Sequence, residues 1–341
     1  MFIGRHRGYI IPMLLPEVPA LILAPMEGVT DAPMRALQGE SGAFTFAVSE
    51  FLRVSHSVPP PHVFLRHVPE LRHGSRTSTG LPVQVQLLGG DPGRMAASAV
   101  VAHTLGATAI DINFGCPAPT VNRHDGGATL LKYPQRIREI VRAVRSALPQ
   151  EVAVSAKMRL GWDTLDAIDE NAEMVAEAGA SWLTIHGRTR MVGYAPPIYW
   201  EPIGRVRERL GIPVVANGDI WTIEGFRRCR EITGCRHFML GRGTLANPFL
   251  ANQVAAELGL GSAMPSSPAS GVSDWPSRMQ RLVDQMQKFH PDRPQLSIHR
   301  LKQWLKLAAN HGKFAHFDAI KRTTSLEELF AKLNEVECIA S

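Results

Sequence analysis

The clearest evidence for the fold class lies in residues 152–188, which read VAVSAKMRLGWDTLDAIDENAEMVAEAGASWLTIHGR. Residues 152–159 and 182–188 are short apolar runs, which are typical of buried strands. Between them, residues 169–180 place apolar side chains at helical spacing. A strand, a helix and a second strand in this order predict one βαβ unit with parallel strands.

The same kind of apolar run recurs along the chain, and helical patterns such as residues 134–148 separate most of the runs. Eight units of this kind predict an α/β protein built on a closed (β/α)8 TIM barrel. After Glu50 the pattern is irregular and predicts a loop with a short helix. The eight predicted strands are LILAPM from Leu21, FTFAVSE from Phe44, VQVQLLG from Val83, AIDINFG from Ala109, VAVSAKMR from Val152, WLTIHGR from Trp182, IPVVANGD from Ile212 and HFMLGRG from His237.

Composition predicts four segments. We expect a flexible N-terminal extension over 1–18, the barrel over 19–260, a Gly/Ser/Pro-rich linker over 261–275 and a small helical domain over 276–335. The last segment lacks strand patterns. Its clearest helix has an apolar stripe on one side, facing a polar side with Arg300 on its flank. The stripe consists of Ile298, Leu301, Trp304, Leu305 and Ala308.

The charge of the chain is concentrated in the C-terminal segment. The net charge is +6, and residues 277–322 hold ten Lys or Arg and three Asp, which gives +7 there and −1 elsewhere. A basic region of this kind favours a polyanionic partner. None of the four cysteines has disulfide-scaffold or zinc spacing, and no apolar run reaches membrane-helix length. We therefore predict a cytoplasmic protein without a metal site or a membrane partner.

Active sites of (β/α)8 barrels lie at the carboxyl ends of the strands, so strand ends supply the candidate residues. Most of these ends are polar and predict a ring of functional groups around one pocket. In chain order they are Pro25-Met26-Glu27-Gly28, Glu50 with Arg53, Gln84 with Gln86, Asn113 with Cys116, Lys157 with Arg159, His186 with Arg188, Asn217-Gly218-Asp219 and Gly241-Arg242-Gly243.

The last two strand ends are glycine-rich and precede helices. Their backbone N–H groups favour a phosphate, although either glycine site alone fits an ordinary turn equally well. Together, at strands seven and eight of one barrel, they predict a cofactor-phosphate site to which Arg242 adds a charge-assisted bond.

Lys157, His186 and Gln86 each have two interpretations. Lys157 either forms a structural ion pair, for example with Asp111, or stabilises the anionic reduced ring of a flavin. His186 is either a core histidine or a cofactor contact, and Gln86 is placed to hydrogen-bond the edge of the same ring.

Cys116 differs from Cys229 and Cys235, whose positions in or just after a helix fit buried apolar roles. It follows a strand end in a loop that faces the predicted pocket. An unperturbed thiol, with a pKa near ~8.5, is mostly protonated at neutral pH. It suits either a proton donor or a nucleophile, and spacing does not decide between them.

The motifs APMEGVTDAPMR, VQLLG, DINFGCPAPTV with GGATLL, KMRLGW, HGRT, ANGDI and LGRG occur in this order, over about residues 20–330. The chain resembles the tRNA-dihydrouridine synthases. Smaller features, PELRHGSRT, RLGWD, NGDIW and RLKQWL, resemble the C-type bacterial branch, which modifies U16 in the D-loop of tRNA.

The resemblance implies an FMN-bound barrel that NADPH, or NADH, reduces. It implies hydride transfer from the flavin to C6 of a uracil and protonation of C5 by the catalytic Cys116. The FMN contacts implied by the motifs, together with His186 from the strand ends, are Pro25, Met26, Glu27, Gln86, Lys157, His186, Asn217, Gly218, Asp219, Gly241 and Arg242. The implied tRNA contacts are Arg53, Asn113, Tyr194, Arg300 and Lys302.

In GYAPPIYW, residues 193–200, a proline pair replaces a longer polar pattern, which weakens the assignment of Tyr194. We expect a monomer that binds tRNA and not DNA. The alternatives are a synthase acting at U20 or U17, a small-molecule FMN barrel such as a dihydroorotate dehydrogenase, and a non-enzymatic RNA-binding protein. Bound flavin separates the last of these from an enzyme, and tRNA binding separates a synthase from a small-molecule enzyme.

Overall fold

The structure is a computed structural model that describes residues 14–123, 125–261 and 275–340, with side chains up to residue 335. Residues 1–13 and 262–274, which include most of the predicted extension and linker, lie outside the described residues. Leu14, inside the predicted extension, is buried against the barrel interior, so the chain that builds the barrel begins before the predicted boundary at residue 19.

Eight parallel strands close into a barrel in chain order, and the last pairs with the first. All eight predicted strands are present, and the predicted (β/α)8 barrel is confirmed. The strands are β1 Ala20–Leu23, β2 Phe46–Arg53, β3 Val83–Leu88, β4 Ala109–Phe114, β5 Ala153–Arg159, β6 Trp182–His186, β7 Val214–Asn217 and β8 His237–Leu240.

Fourteen helices are present in the described ranges, together with two short 3-10 helices at Pro69–His73 and Gly127–Lys132. The helices are α1 Ala32–Gly39, α2 Pro61–His67, α3 Pro92–Thr104, α4 Pro119–Asn122, α5 Pro134–Ala147, α6 Ile168–Glu177, α7 Glu201–Arg209, α8 Ile223–Thr233, α9 Arg242–Ala246, α10 Leu250–Glu257, α11 Trp275–Phe289, α12 Gln295–Asn310, α13 Phe317–Ile320 and α14 Leu326–Ala340.

The helical spacing read from the sequence determines which faces are buried. In α5 the buried residues are Ile137, Ile140, Val141 and Val144, one stripe at intervals of three and four. The irregular segment after Glu50 forms α2 and the first 3-10 helix, as expected.

The pairing of β2 with β3 shifts by one residue between Val48 and Phe51. A bulge of this kind re-aims the side chains that follow it, and Phe51 consequently lines the pocket.

Helices α11–α14 pack against the barrel through a shared apolar cluster. The predicted stripe on α12 is buried in this cluster, and Met34 and Leu37 of α1 and Leu245 of α9 join it. Within the described ranges, none of the helices has the length and apolar character that crossing a membrane requires.

Candidate active site

The carboxyl ends of the strands surround a cavity of about 330 Å³. It collects every predicted cofactor residue, the predicted acid Cys116 and two of the predicted RNA contacts. Arg53, Arg300 and Lys302 are not part of its wall. The predicted residues that line it are Pro25, Met26, Glu27, Gln86, Asn113, Cys116, Lys157, His186, Tyr194, Asn217, Gly218, Asp219, Gly241 and Arg242.

Asn113 holds the loop that carries Cys116. Its Oδ1 accepts the N–H groups of Gly115 at 2.9 Å and of Cys116 at 2.8 Å. On the other side of the loop, the carbonyl of Cys116 accepts the N–H of Ala128 at 3.1 Å. A Cβ at Gly127, where φ is +60°, would lie 2.9 Å from that carbonyl oxygen. Glycine is therefore required for the loop to close on the thiol.

The Cys116 thiol is half-buried, and burial raises its pKa above the ordinary value, with the negative charge of Glu27 acting in the same direction. A thiol with a raised pKa stays protonated at neutral pH. This state suits a proton donor better than a nucleophile, which requires the thiolate.

A series of buried hydrogen bonds fixes the side-chain amides of Asn113 and Gln86 next to this loop. Asn113 Nδ2 donates to Gln86 Oε1 at 2.9 Å, and Gln86 Nε2 donates to Asp111 Oδ2 at 2.7 Å. The other oxygen of Asp111 accepts from Ser155 Oγ at 2.5 Å, and burial raises the pKa of Asp111 to about 6. The charges of Asp111 and Lys157 influence each other's pKa, but the ion pair considered for Lys157 is not formed.

Lys157 faces the cavity, and the described part of the chain offers its Nζ no ion pair or hydrogen bond. Burial, followed by the charge of Arg159, lowers its pKa to about 8. The pKa of the neighbouring His186 is lowered well below its ordinary value, first by burial and then by Lys157 and Arg159. The Nδ1 of His186 is buried without a partner. Two polar groups in this wall, Lys157 Nζ and His186 Nδ1, therefore have no hydrogen-bond partner among the described residues.

At the glycine sites after β7 and β8, the backbone of one loop lies close to the backbone of the other. A Cβ at Gly243 would lie 2.1 Å from the carbonyl oxygen of Ile220, and Gly218 has φ +119°. Asp219 binds Arg188 through both carboxylate oxygens, and Arg242 lies 3.4 Å away. The carboxylate of Asp219 is therefore paired with two guanidinium groups, which leaves backbone N–H groups and the remaining donors of Arg242 as the groups able to contact a phosphate there.

Two rim residues lie outside the predicted cofactor and tRNA contacts, although Arg159 is among the polar strand ends. Arg159 donates to the carbonyls of Gly115 at 2.9 Å and Gly193 at 2.7 Å and lies over the ring of Tyr194. Trp221 lines the cavity, and Arg242 lies 5.1 Å from the centre of its ring. Arg159 is one of the polar strand ends, whereas Trp221 occurs in the sequence only within the motif NGDIW, which predicts no role for it.

We expect Gly218→Ala to lower the free energy of unfolding by about 1–3 kcal/mol, because alanine is strained at this φ. Its Cβ would also lie 2.6 Å from Ile198 Cδ1. Denaturant unfolding measures the loss. Gly225→Ala is the matched control, since its Cβ would meet nothing closer than 3.5 Å on helix α8. Equal stability of the two variants would contradict this reading of the glycine.

Barrel and pocket together place the chain among the (β/α)8-barrel enzymes that work at the carboxyl edge of their strands. The family model described as dihydrouridine synthase matches residues 22–338. The chain belongs to the dihydrouridine synthase family, enzymes that reduce uridine to dihydrouridine. The predicted family and enzyme class are therefore confirmed, and the non-enzymatic alternative is excluded.

Curated relatives match over most of their length. The tRNA-dihydrouridine(16) synthase of Aquipseudomonas alcaligenes is 43% identical over 288 residues, which cover 84% of this chain and 89% of the relative. That of Neisseria meningitidis serogroup B is 40% identical over 321 residues, covering 93% and 94%. That of Pseudomonas syringae pv. tomato is 48% identical over 236 residues, covering 69% and 74%.

Among solved structures, histamine dehydrogenase from Rhizobium sp. 4-9 superposes with a TM-score of 0.54 at 14% identity. The match covers 70% of this chain and 46% of that one. A 2-naphthoyl-CoA reductase complex gives 0.53 at 10% identity, covering 70% and 50%. At these identities the likeness concerns the barrel fold alone.

Proposed function

We propose that this chain reduces the uridine at position 16 of the tRNA D-loop to 5,6-dihydrouridine, with FMN bound in the barrel pocket and NADPH as the reductant. The observation that carries the proposal is one cavity that joins the Cys116 thiol, the unpaired Lys157 and the two glycine sites. The position follows the names of the relatives, all tRNA-dihydrouridine(16) synthases.

The wall of the pocket fits a flavin mononucleotide. Gly218, Gly241 and Arg242 would hold the phosphate, because these residues line the cavity where β7 and β8 end and the guanidinium of Arg242 supplies a cation. Lys157 and Gln86 would face the ring edge, where Lys157 lacks a partner and a cation stabilises added negative charge. When bound, FMN supplies the hydride that adds to C6 of the uracil.

The residues of this chain provide the proton. Addition of hydride at C6 breaks the C5–C6 double bond and leaves an electron pair delocalised over C5 and the C4 carbonyl. The Cys116 S–H gives its proton to C5, a C–H bond forms, and the remaining thiolate regains a proton from solvent. Asn113 and Gly127 fix the loop, so the thiol faces the cavity without a change of backbone.

The proposed substrate requires a surface that binds RNA outside the pocket. A D-loop uracil has to leave its stack to reach a barrel pocket. The +7 region over residues 277–322 supplies cations for the phosphates, and Lys306 is exposed on α12. The ammonium of Lys302 donates to the carbonyl of Thr323. A phosphate that contacts Lys302 would therefore bind an ammonium that keeps this hydrogen bond.

We expect kcat/KM to fall as pH rises through about 8. Lys157 has a lowered pKa of about 8, so it is charged below that pH and neutral above it. Burial raises the pKa of the Cys116 thiol above its ordinary value, so the thiol stays protonated near pH 8. Initial rates between pH 6 and 10 measure the profile. Lys157→Arg should move this limb to higher pH, and a wild-type profile that stays flat to pH 9.5 would contradict the assignment.

The proposed cofactor and substrate are tested by purification. The protein should carry flavin absorbance or acquire it when FMN is added, and NADPH should bleach it. Unmodified tRNA should then be converted to dihydrouridine-containing tRNA. A protein that takes up no flavin overturns the cofactor, and a flavoprotein that leaves tRNA unchanged overturns the substrate.

A further inference from the structure

Helix α12, in the basic C-terminal region, and His311 directly after it contact two loops and helix α9, which form part of the pocket wall. Arg300 meets the β1–α1 loop, and Trp304 Nε1 donates to the Leu245 carbonyl of α9 at 2.8 Å. His311, which follows the last turn, stacks on Trp221 of the β7–α8 loop, with ring centres 3.7 Å apart. The three contacted segments directly follow strands β1, β7 and β8 in the chain, and most of the proposed cofactor residues belong to these segments.

The Arg300 contact completes the β1–α1 loop. Its guanidinium donates to the carbonyls of Gly28 at 2.5 Å and Val29 at 2.6 Å and to Asp31 Oδ1 at 3.1 Å. No other donor among the described residues reaches those two carbonyls. Arg300 is 14% exposed, so losing the guanidinium leaves them poorly solvated. Pro25, Met26 and Glu27 of the same loop line the pocket.

Apolar side chains also join the β1–α1 loop to helix α12. Met26 and Val29 line the cavity and also pack against the cluster built by Leu301, Trp304 and Leu305 of α12. One continuous core therefore extends from the pocket wall into the helical region. In the β7–α8 loop, the ring of Trp221 contacts both His311 and Arg242. Trp221 therefore connects the end of α12 to the glycine site after β8, which contains Arg242.

We propose that α12 is a structural part of the cofactor pocket and that Arg300 is a positioning residue for the β1–α1 loop. This inference rests on the proposed binding of FMN. It gives the basic C-terminal region a second role besides RNA binding, since the same helix fixes the loops that hold the cofactor. It also gives Arg300 a role that differs from the phosphate contact implied by the motif RLKQWL.

Flavin affinity separates the two roles of Arg300. FMN titrated into apoprotein, followed by flavin fluorescence, should show a Kd about tenfold higher for Arg300→Met than for wild type. Lys306→Met is the matched control, because Lys306 is an exposed cation on α12 with no ion pair in the described part of the chain. Its Kd for FMN should stay within twofold of wild type, while both variants lose a charge.

Two further variants keep the test decisive if Arg300→Met folds poorly. His311→Ala removes an exposed ring that lies outside the core, and it should raise the Kd for FMN about threefold. Arg300→Lys keeps the charge but loses the planar fork of N–H donors that spans the Gly28 and Val29 carbonyls. Its Kd for FMN should therefore stay high, while its KM for tRNA, measured at saturating FMN, should stay near wild type.

Wild-type Kd values for FMN in folded Arg300→Met and His311→Ala would overturn the inference. In that case, a raised KM for tRNA in Arg300→Met alone would make Arg300 an RNA contact only. If the wild-type protein binds no FMN, the proposed function fails instead, and the two failures are thereby distinguished.

Discussion

Cys116→Ala is expected to lower dihydrouridine formation at least about 100-fold, the usual scale for losing a general acid. NADPH should still reduce the bound flavin at the wild-type rate, because the thiol acts only when C5 of the uracil needs a proton. Stopped-flow absorbance follows flavin reduction, and nucleoside analysis of tRNA follows the product. A loss in the second measurement without a loss in the first is the expected pattern.

Cys235→Ala is the control for this prediction. Cys235 is a buried thiol whose pKa is raised to about 11 by burial, and it lies outside the pocket. Its replacement should cost stability and leave product formation intact. Product formation at the wild-type rate in Cys116→Ala would remove Cys116 as the acid.

Lys157→Met is expected to slow reduction of the flavin by NADPH on the order of 100-fold. Loss of a preorganised charge that stabilises developing negative charge in an enclosed site has this scale. The midpoint potential of the bound flavin should fall as well, because the reduced anion loses its cation. Stopped-flow reduction and a spectroelectrochemical titration measure the two effects.

Lys132→Met serves as the matched control for Lys157. Lys132 lies 3.9 Å from the centre of the Trp162 ring and is absent from the cavity wall. Its removal should change neither the potential nor the reduction rate. An unchanged potential in Lys157→Met would instead assign Lys157 a purely structural role.

The barrel was predictable because each strand and helix is marked by a pattern within its own short stretch of sequence. Parallel strands buried on both faces appear as continuous apolar runs, and α5 shows its buried face through spacing alone. Strand ends then identify the pocket, since a closed barrel brings all eight carboxyl ends to one rim. For this reason the sequence places Lys157, His186 and Cys116 at the pocket that they line.

Contacts between distant segments were not predictable. Arg300 and Gly28 are separated by 272 positions, and the amphipathic pattern of α12 places Arg300 on a flank without naming its partner. Trp221 is not predicted for the same reason, because its stacking partner His311 lies far along the chain, just after α12. The bonds of Asp111 to Gln86 and Ser155 also depend on strand register, which periodicity does not fix.

The central claim is that this chain makes the dihydrouridine at position 16 of tRNA and uses Cys116 to do so. Its most direct test is single-nucleotide mapping of dihydrouridine in tRNA from a strain that lacks the gene, complemented with wild type or Cys116→Ala. We predict that position 16 loses dihydrouridine in the deletion, regains it with wild type and does not regain it with the variant. Dihydrouridine retained at position 16 in the deletion strain, or lost only at position 17 or 20, would contradict the claim.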